Sequence, residues 1–293
     1  MPFIKEKFYL KESIKAILFL QNTLNIDLKT AQKMIDKRRV ELNNEIFSNK
    51  AGKLEGEVSI SRFVPQDLGL KPLFQTKDFA IFDKPPKLLT HPKGRFQHIS
   101  LLDSVRFELG NSANIVNRLD SETSGIVLAS KHKQSEIKLK TMFENKEIQK
   151  EYLAYVFGKI KDCKIESKIK EQDKRKDLGI RSKISTNGKY SITTIKLIFY
   201  DSKKNISLIK AIPLTGRTHQ IRLHLSHIGH SILGECLYGI DDNLARDFLD
   251  GKIKEDEREK LFGASRLMLH SNRLIFNYNE TKFNIVSKAK LNI

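Results

Sequence analysis

The chain has 293 residues, 39% hydrophobic and 30% charged, with a formal net charge of +18 and a pI of about 9.7. That composition fits one large or two ordinary folded domains and excludes a disordered chain. So large a positive surplus points to a polyanionic partner, with nucleic acid ahead of an anionic membrane surface.

The longest early apolar run, Ala16 to Leu20, is far too short to span a bilayer, and no small-residue cleavage site follows it. Cys163 and Cys236 lie far apart and form no CxxC, so neither a disulfide framework nor a zinc ribbon is expected. A reducing, cytoplasmic setting is the expectation, with a monomer, no required protein partner and no membrane association.

In chain order, Ile14, Ile17, Leu18 and Leu24 recur at helical spacing. Asp27 can cap a second helix whose apolar positions are Ala31, Met34 and Ile35. Lys29, Lys33 and Lys37 are four apart and share a face, and Arg38 and Arg39 follow. Val40-Glu41-Leu42 and Val58-Ser59-Ile60 read as strands, with a turn at Asn43-Asn44. A lysine row by itself is as often a solvated helix face. Its continuation into an arginine pair and a hairpin favours a phosphate-binding edge.

A link carrying Pro65 and Pro72 comes next. Phe79 to Phe82 reads as a strand that stops at Lys84-Pro85-Pro86, and the simplest account of that segment is a plain strand terminator. Helix is expected near 133–145 and strand at Tyr152 to Val156. Lys159 to Lys189 is so charged that an exposed loop or hairpin is expected. Thr193 to Tyr200 and Ile206 to Pro213 read as paired strands. The order predicts an α+β chain with a mixed, mostly antiparallel sheet.

Two stretches carry chemistry. In "NRLDSETSGIVLASK", a polar turn leads through Gly125 into a buried strand, Ile126 to Ala129. Asp120 therefore sits beside an anchored element. An aspartate next to Ser and Thr more often caps a turn, and a reacting carboxylate is the sharper reading. In "LTGRTHQIRLHLSHIGHSILGECLYG", Thr215 to Arg217 makes a turn, Thr218 can cap a helix, and Ile221, Leu225 and Ile228 face the core. Arg222 lies beside that face, where a partly buried guanidinium needs an anion. Asp120 would suit it. His219, His224, His227 and His230 do not form HExxH, so no metal site is expected, and they read as polar rim or structural groups. There is no phosphate loop, dinucleotide fingerprint or hydrolase elbow.

"LKTAQKMIDKRRVELNNEI" and "AGKLEGEVSI" resemble the small RNA-binding domain named for ribosomal protein S-four. "NRLDSETSGIVLASK", "GRTHQIRLHLSHIGHSILGECLYG", "IFDKPPKLLTHP", "KEYLAYVFG" and "RLMLHSNRLIF" resemble motifs of the RluA family of RNA pseudouridine synthases. The resemblance implies an RNA-binding domain at 1–65, a linker at 66–74 and a catalytic domain at 75–293. It implies isomerisation of uridine without a cofactor, in large-subunit ribosomal RNA. Transfer RNA as substrate, or an inactive assembly factor, are the alternatives. It assigns catalysis to Asp120, paired with Arg222, and to Tyr152, which stacks on the base and assists proton removal. Arg118 would hold the flipped nucleotide or its phosphate. Lys29, Lys33, Lys37, Arg38, Arg39, Arg217 and His219 complete the expected RNA contacts. Asn117, Ser231 and Glu235 depart from the family's usual His, Pro and Asp.

Overall fold

The structure is a computed structural model describing residues 3–92, 99–173 and 178–292. Its first part comprises β1 (Phe3–Lys15), α1 (Ala16–Leu24), α2 (Leu28–Asp36), β2 (Val40–Leu42), β3 (Glu45–Ile46) and β4 (Lys53–Phe63). The strands form one sheet in the order β1-β4-β2-β3. Ala16, Leu20, Ala31, Met34 and Ile35 of the helices pack on Val40, Leu54, Val58 and Ile60 of the strands. Asp27 caps α2 by accepting the Thr30 N–H at 2.6 Å, as the sequence suggests. Asn43 and Asn44 both take positive φ, the backbone a two-residue hairpin turn needs. Two expectations are corrected. Ile14 lies in β1, a strand whose dense charges hid it, and Leu18 is exposed.

The larger part contains β5 (Phe74–Gln75), β6 (Phe79–Lys84), α3 (Leu101–Leu109), β7 (Asn114–Ile115), β8 (Ser124–Ser130), α4 (Lys133–Glu144), β9 (Gln149–Phe157), β10 (Cys163–Glu171) and β11 (Ser182–Ile184). It continues with β12 (Lys189–Asp201), β13 (Ile206–Pro213), α5 (Gln220–His227), α6 (Asp242–Leu249), α7 (Glu255–Phe262), β14 (Leu269–Tyr278) and β15 (Thr281–Val286). The main path of the sheet is β11-β10-β12-β13-β9-β14-β8-β6-β5, with β15 on β14 and β7 on β8. Among the described residues the strands of this sheet pair antiparallel except where β14 meets β8. The fold is thus α+β with a mixed, mostly antiparallel sheet.

β8 is buried along its whole length. Ile126 and Leu128 pack with Phe79, Ile81, Leu139 and Met142 on one face. Val127 and Ala129 pack with Ala80, Phe82, Leu101 and Val105 on the other. A strand covered on both faces reads as a continuous apolar run, because alternate side chains go to different cores. Each such Ile, Val or Leu contributes about 1.5–3 kcal/mol by leaving water.

Of the loop or hairpin expected over 159–189, the structure has the hairpin, β10 pairing antiparallel with β11. β10 and β11 add to the sheet edge, and Ile165 and Ile169 reach the interior while lysines face out. Residues 174–177 of that stretch lie outside the described residues. Phe74, assigned to the linker from sequence, already pairs with Ile81 in the sheet.

Candidate active site

The loop before β8 is fastened at several points. The Thr90 hydroxyl donates to the Leu119 carbonyl at 2.6 Å and accepts the Leu119 N–H at 3.2 Å. The Asn117 side-chain carbonyl accepts the Leu128 N–H at 2.8 Å. Lys84 is 1% exposed, and its ammonium donates to the carbonyls of Pro85, Leu88 and Ser121 at 2.9, 2.7 and 2.9 Å. Burial pushes the Lys84 ammonium down to about 7, while Asp120 and Glu122 pull it back up. The strand terminator is therefore also a clamp on the residue after Asp120. The Asp120 side chain stays 30% exposed, held in place yet open to a ligand.

Arg222 comes from α5 and is 3% exposed. Its expected partner is only its second one. Nε and one terminal nitrogen donate to the two oxygens of Glu235 at 2.7 and 2.6 Å. The other terminal nitrogen reaches Asp120 Oδ2 at 3.5 Å, a long contact. Burial disfavours the Arg222 charge, but Glu235 and then Asp120 outweigh it and hold the guanidinium protonated. Glu235 also accepts the Leu237 N–H at 2.8 Å, so its carboxylate is fixed from both sides. Sequence reasoning noted Glu235 only as a departure, although it lies thirteen residues from an arginine in need of an anion.

His219 closes the other flank. It starts α5 in a left-handed conformation, φ 57°, so His219 takes the capping position expected of Thr218. Its Nε2 lies 3.7 Å from Asp120 Oδ1. Its Nδ1 is 2.8 Å from the Tyr238 hydroxyl, which accepts the Ser182 N–H at 2.7 Å. When that hydroxyl donates to Nδ1, the ring proton sits on Nε2, facing Asp120. Burial lowers the His219 pKa against the pull of Asp120. His219 thus belongs beside the carboxylate, not on an outer rim. His224 is structural, held among Ser167, Ser191 and Thr193, and Ile228 is exposed instead of core-facing.

Tyr152, in β9, lies between two core clusters and near Asp120. Burial, with Asp120 adding to it, pushes its phenol up to about 12, so it is present as a neutral hydroxyl. Arg118 is exposed on the loop carrying Asp120, and Arg217 is exposed with its Nε donating to the Tyr190 carbonyl at 3.3 Å. The structure thus gathers Asp120, Arg222, His219 and Tyr152. Lys29, Lys33, Lys37 and Arg38 form a separate exposed group on and after α2. Arg39 departs from that group: it is half-buried over the Phe3 ring at 4.7 Å. Among the described residues, no group of three His, Cys, Asp or Glu is placed to hold a metal ion.

The profile of a family described as RNA pseudouridylate synthase matches residues 78–227, which span every strand and loop just described from β6 to α5. A Helicobacter pylori protein named an uncharacterized RNA pseudouridine synthase is 43% identical over 289 residues, covering 98% of this chain and 94% of that one. The chain belongs to the RNA pseudouridylate synthase family. This synthase is therefore an isomerase acting on RNA. Its relatives differ in the RNA they are named for. The yeast mitochondrial tRNA pseudouridine(32) synthase is 32% identical over 176 residues, 59% of this chain and 38% of that protein. The ribosomal large subunit pseudouridine synthase C of a Buchnera aphidicola subspecies is 29% identical over 302 residues, 97% of this chain and 89% of that one.

Proposed function

We propose that the synthase converts uridine to pseudouridine in large-subunit ribosomal RNA, with Asp120 as the reacting carboxylate. The observation that carries the assignment is the division of labour around Arg222. Glu235 takes two of its N–H groups at 2.6 and 2.7 Å, and Asp120, 3.5 Å away, keeps its oxygens available. The N1–C1′ bond of the target breaks, the uracil turns, C5 bonds to C1′, the C5 proton leaves and N1 takes up a proton, so the product is an isomer. A carboxylate serves that sequence as nucleophile at C1′ or as counter-charge to the cation formed there. Arg222 faces it as a fixed positive charge 3.5 Å away. Tyr152 supplies a ring on which the flipped base stacks, worth about 1–3 kcal/mol against the cost of unstacking.

Residues 1–65 are read as the RNA-binding domain, with Lys29, Lys33, Lys37 and Arg38 on phosphates. Arg118 and Arg217 serve the same purpose nearer the target. The large-subunit reading rests on a relative of that name that matches 97% of this chain. Transfer RNA is the second reading, favoured by the name of the yeast relative. A cytosolic setting is in keeping with two free cysteines.

The test is tritium release from RNA labelled at uridine C5. Wild type releases tritium from ribosomal RNA, and Asp120→Asn does not, although it binds the same RNA. Release from transfer RNA alone would reassign the substrate. Equal loss of binding and release in Asp120→Asn would remove the purely catalytic role.

A further inference from the structure

α6 and α7 lie between the Glu235 loop and β14, and none of the catalytic roles proposed above uses them. Yet α7 sends one side chain into the site's supporting structure. Arg258 is only 5% exposed. One terminal nitrogen donates to Glu122 Oε2 and also to the Gly234 carbonyl at 3.3 Å. Glu122 follows Asp120 by two residues, and Gly234 directly precedes Glu235. The Arg258 guanidinium carbon lies 4.9 Å from the centre of the Phe248 ring of α6, which covers it. A second tie runs from Lys87, in the turn that clamps Lys84, to Glu255 of α7.

These contacts close a ring. Asp120 meets Arg222, Arg222 meets Glu235, the chain runs back to Gly234, Gly234 meets Arg258, Arg258 meets Glu122, and the chain returns to Asp120. Two arginines and three carboxylates share it, each arginine lying between acidic groups or their loops. Without Arg258, Glu122 would be a half-buried carboxylate left to the more distant pull of Lys84 and Arg266. It would then compete with Asp120 for Lys84, and nothing from α7 would bridge the two loops among the described residues.

We propose that Arg258 is a positioning residue: it fixes the Asp120 loop relative to the Glu235 loop by holding Glu122 and the Gly234 carbonyl together. It acts through Glu122 and touches no substrate. The inference rests on the reading of Asp120 as the reacting carboxylate.

The experiment compares Arg258→Gln, Arg258→Lys, Glu122→Gln, the Glu122→Gln/Arg258→Gln double variant and Asp120→Asn. Single-turnover tritium release at saturating RNA, RNA affinity and melting temperature are read for each. Arg258→Gln and Glu122→Gln each slow release by about 10- to 100-fold, the scale expected of a displaced reacting group, with RNA affinity held within about twofold. Arg258→Lys, which keeps the charge but not the planar fork, recovers part of the rate. The double variant is no slower than the worse single, because both remove one link. A bridge that matters only for stability would lower melting and leave release at saturating RNA untouched. That result, additive losses, or a loss confined to RNA affinity would each overturn the proposal. If Arg258→Gln does not fold, Glu122→Gln decides alone, since it removes the charge of the same ion pair from the more accessible side chain. Asp120→Asn separates the two ideas. If it is inactive while Glu122→Gln is as fast as wild type, only the bridge is wrong; if it stays active, the carboxylate reading fails first.

Discussion

A buried guanidinium is costly unless it is paired, and Arg222 shows how the synthase meets that cost. Glu235 grips it in a bidentate pair and is itself 2% exposed. Removing one partner of such a pair leaves a buried charge uncompensated, so Glu235→Gln should destabilise the fold by about 3–5 kcal/mol. Urea denaturation at neutral pH measures that loss; a change under about 1 kcal/mol would mean Asp120 can serve as the main partner. The need for an anion beside Arg222 was legible in the sequence, because an arginine next to a helix's apolar face has few other options. Which anion was not. Asp120 is 102 positions away and Glu235 thirteen, and only the path of the chain decides that the nearer one makes the tight pair.

At the scale of the element, β8 carries the site. Its apolar run and the polar turn before it were readable from residue pattern alone, because burial on both faces removes the usual alternation. Its parallel pairing with β14 was not, since the partner enters some 145 residues later. Gly125 marks the junction. It adopts φ +109°, and a Cβ there would sit 2.3 Å from the Ser271 carbonyl oxygen. Gly125→Ala should therefore cost at least about 2 kcal/mol, since alanine is strained at that φ and backbone cannot yield as a flexible side chain can. A shift in denaturation midpoint with unchanged slope checks this. Midpoints equal to wild type would show that β8 and β14 can separate without harm. The edge strands β10 and β11 teach the opposite lesson. Their few buried isoleucines among many lysines left loop and hairpin both open, and only the pairing with the sheet selects the hairpin.

Across the whole molecule the +18 charge makes a quantitative claim. Phosphate contacts release counterions, so affinity for RNA should fall steeply with salt. Changing Lys29, Lys33, Lys37 and Arg38 to glutamine should lower the slope of log K against log salt by about 1 for each phosphate no longer neutralised. Filter binding across a salt series reads this, and an unchanged slope would move the phosphate-binding role elsewhere. Arg39 should behave differently. Its place over Phe3, and the edge-on Phe3–Phe63 pair behind it, tie it to the seam where Arg106 of α3 lies 5.2 Å from the Phe63 ring.

The sequence by itself determined the class of partner, the α+β character, the buried strand at 126–129 and the stretches that hold the site. Those are properties of charge, local periodicity and short motifs, each written in neighbouring residues. Tertiary structure alone decided that Arg222 leans on Glu235, that Lys84 clamps the Asp120 loop, that His219 turns its Nε2 toward Asp120, and that Arg258 reaches Glu122 from a helix no motif includes. Each joins groups that local pattern does not pair. Its identity depends on which side chains the packed sheet leaves within about 4 Å of one another, the range over which close charge and hydrogen-bond contacts form in a buried site.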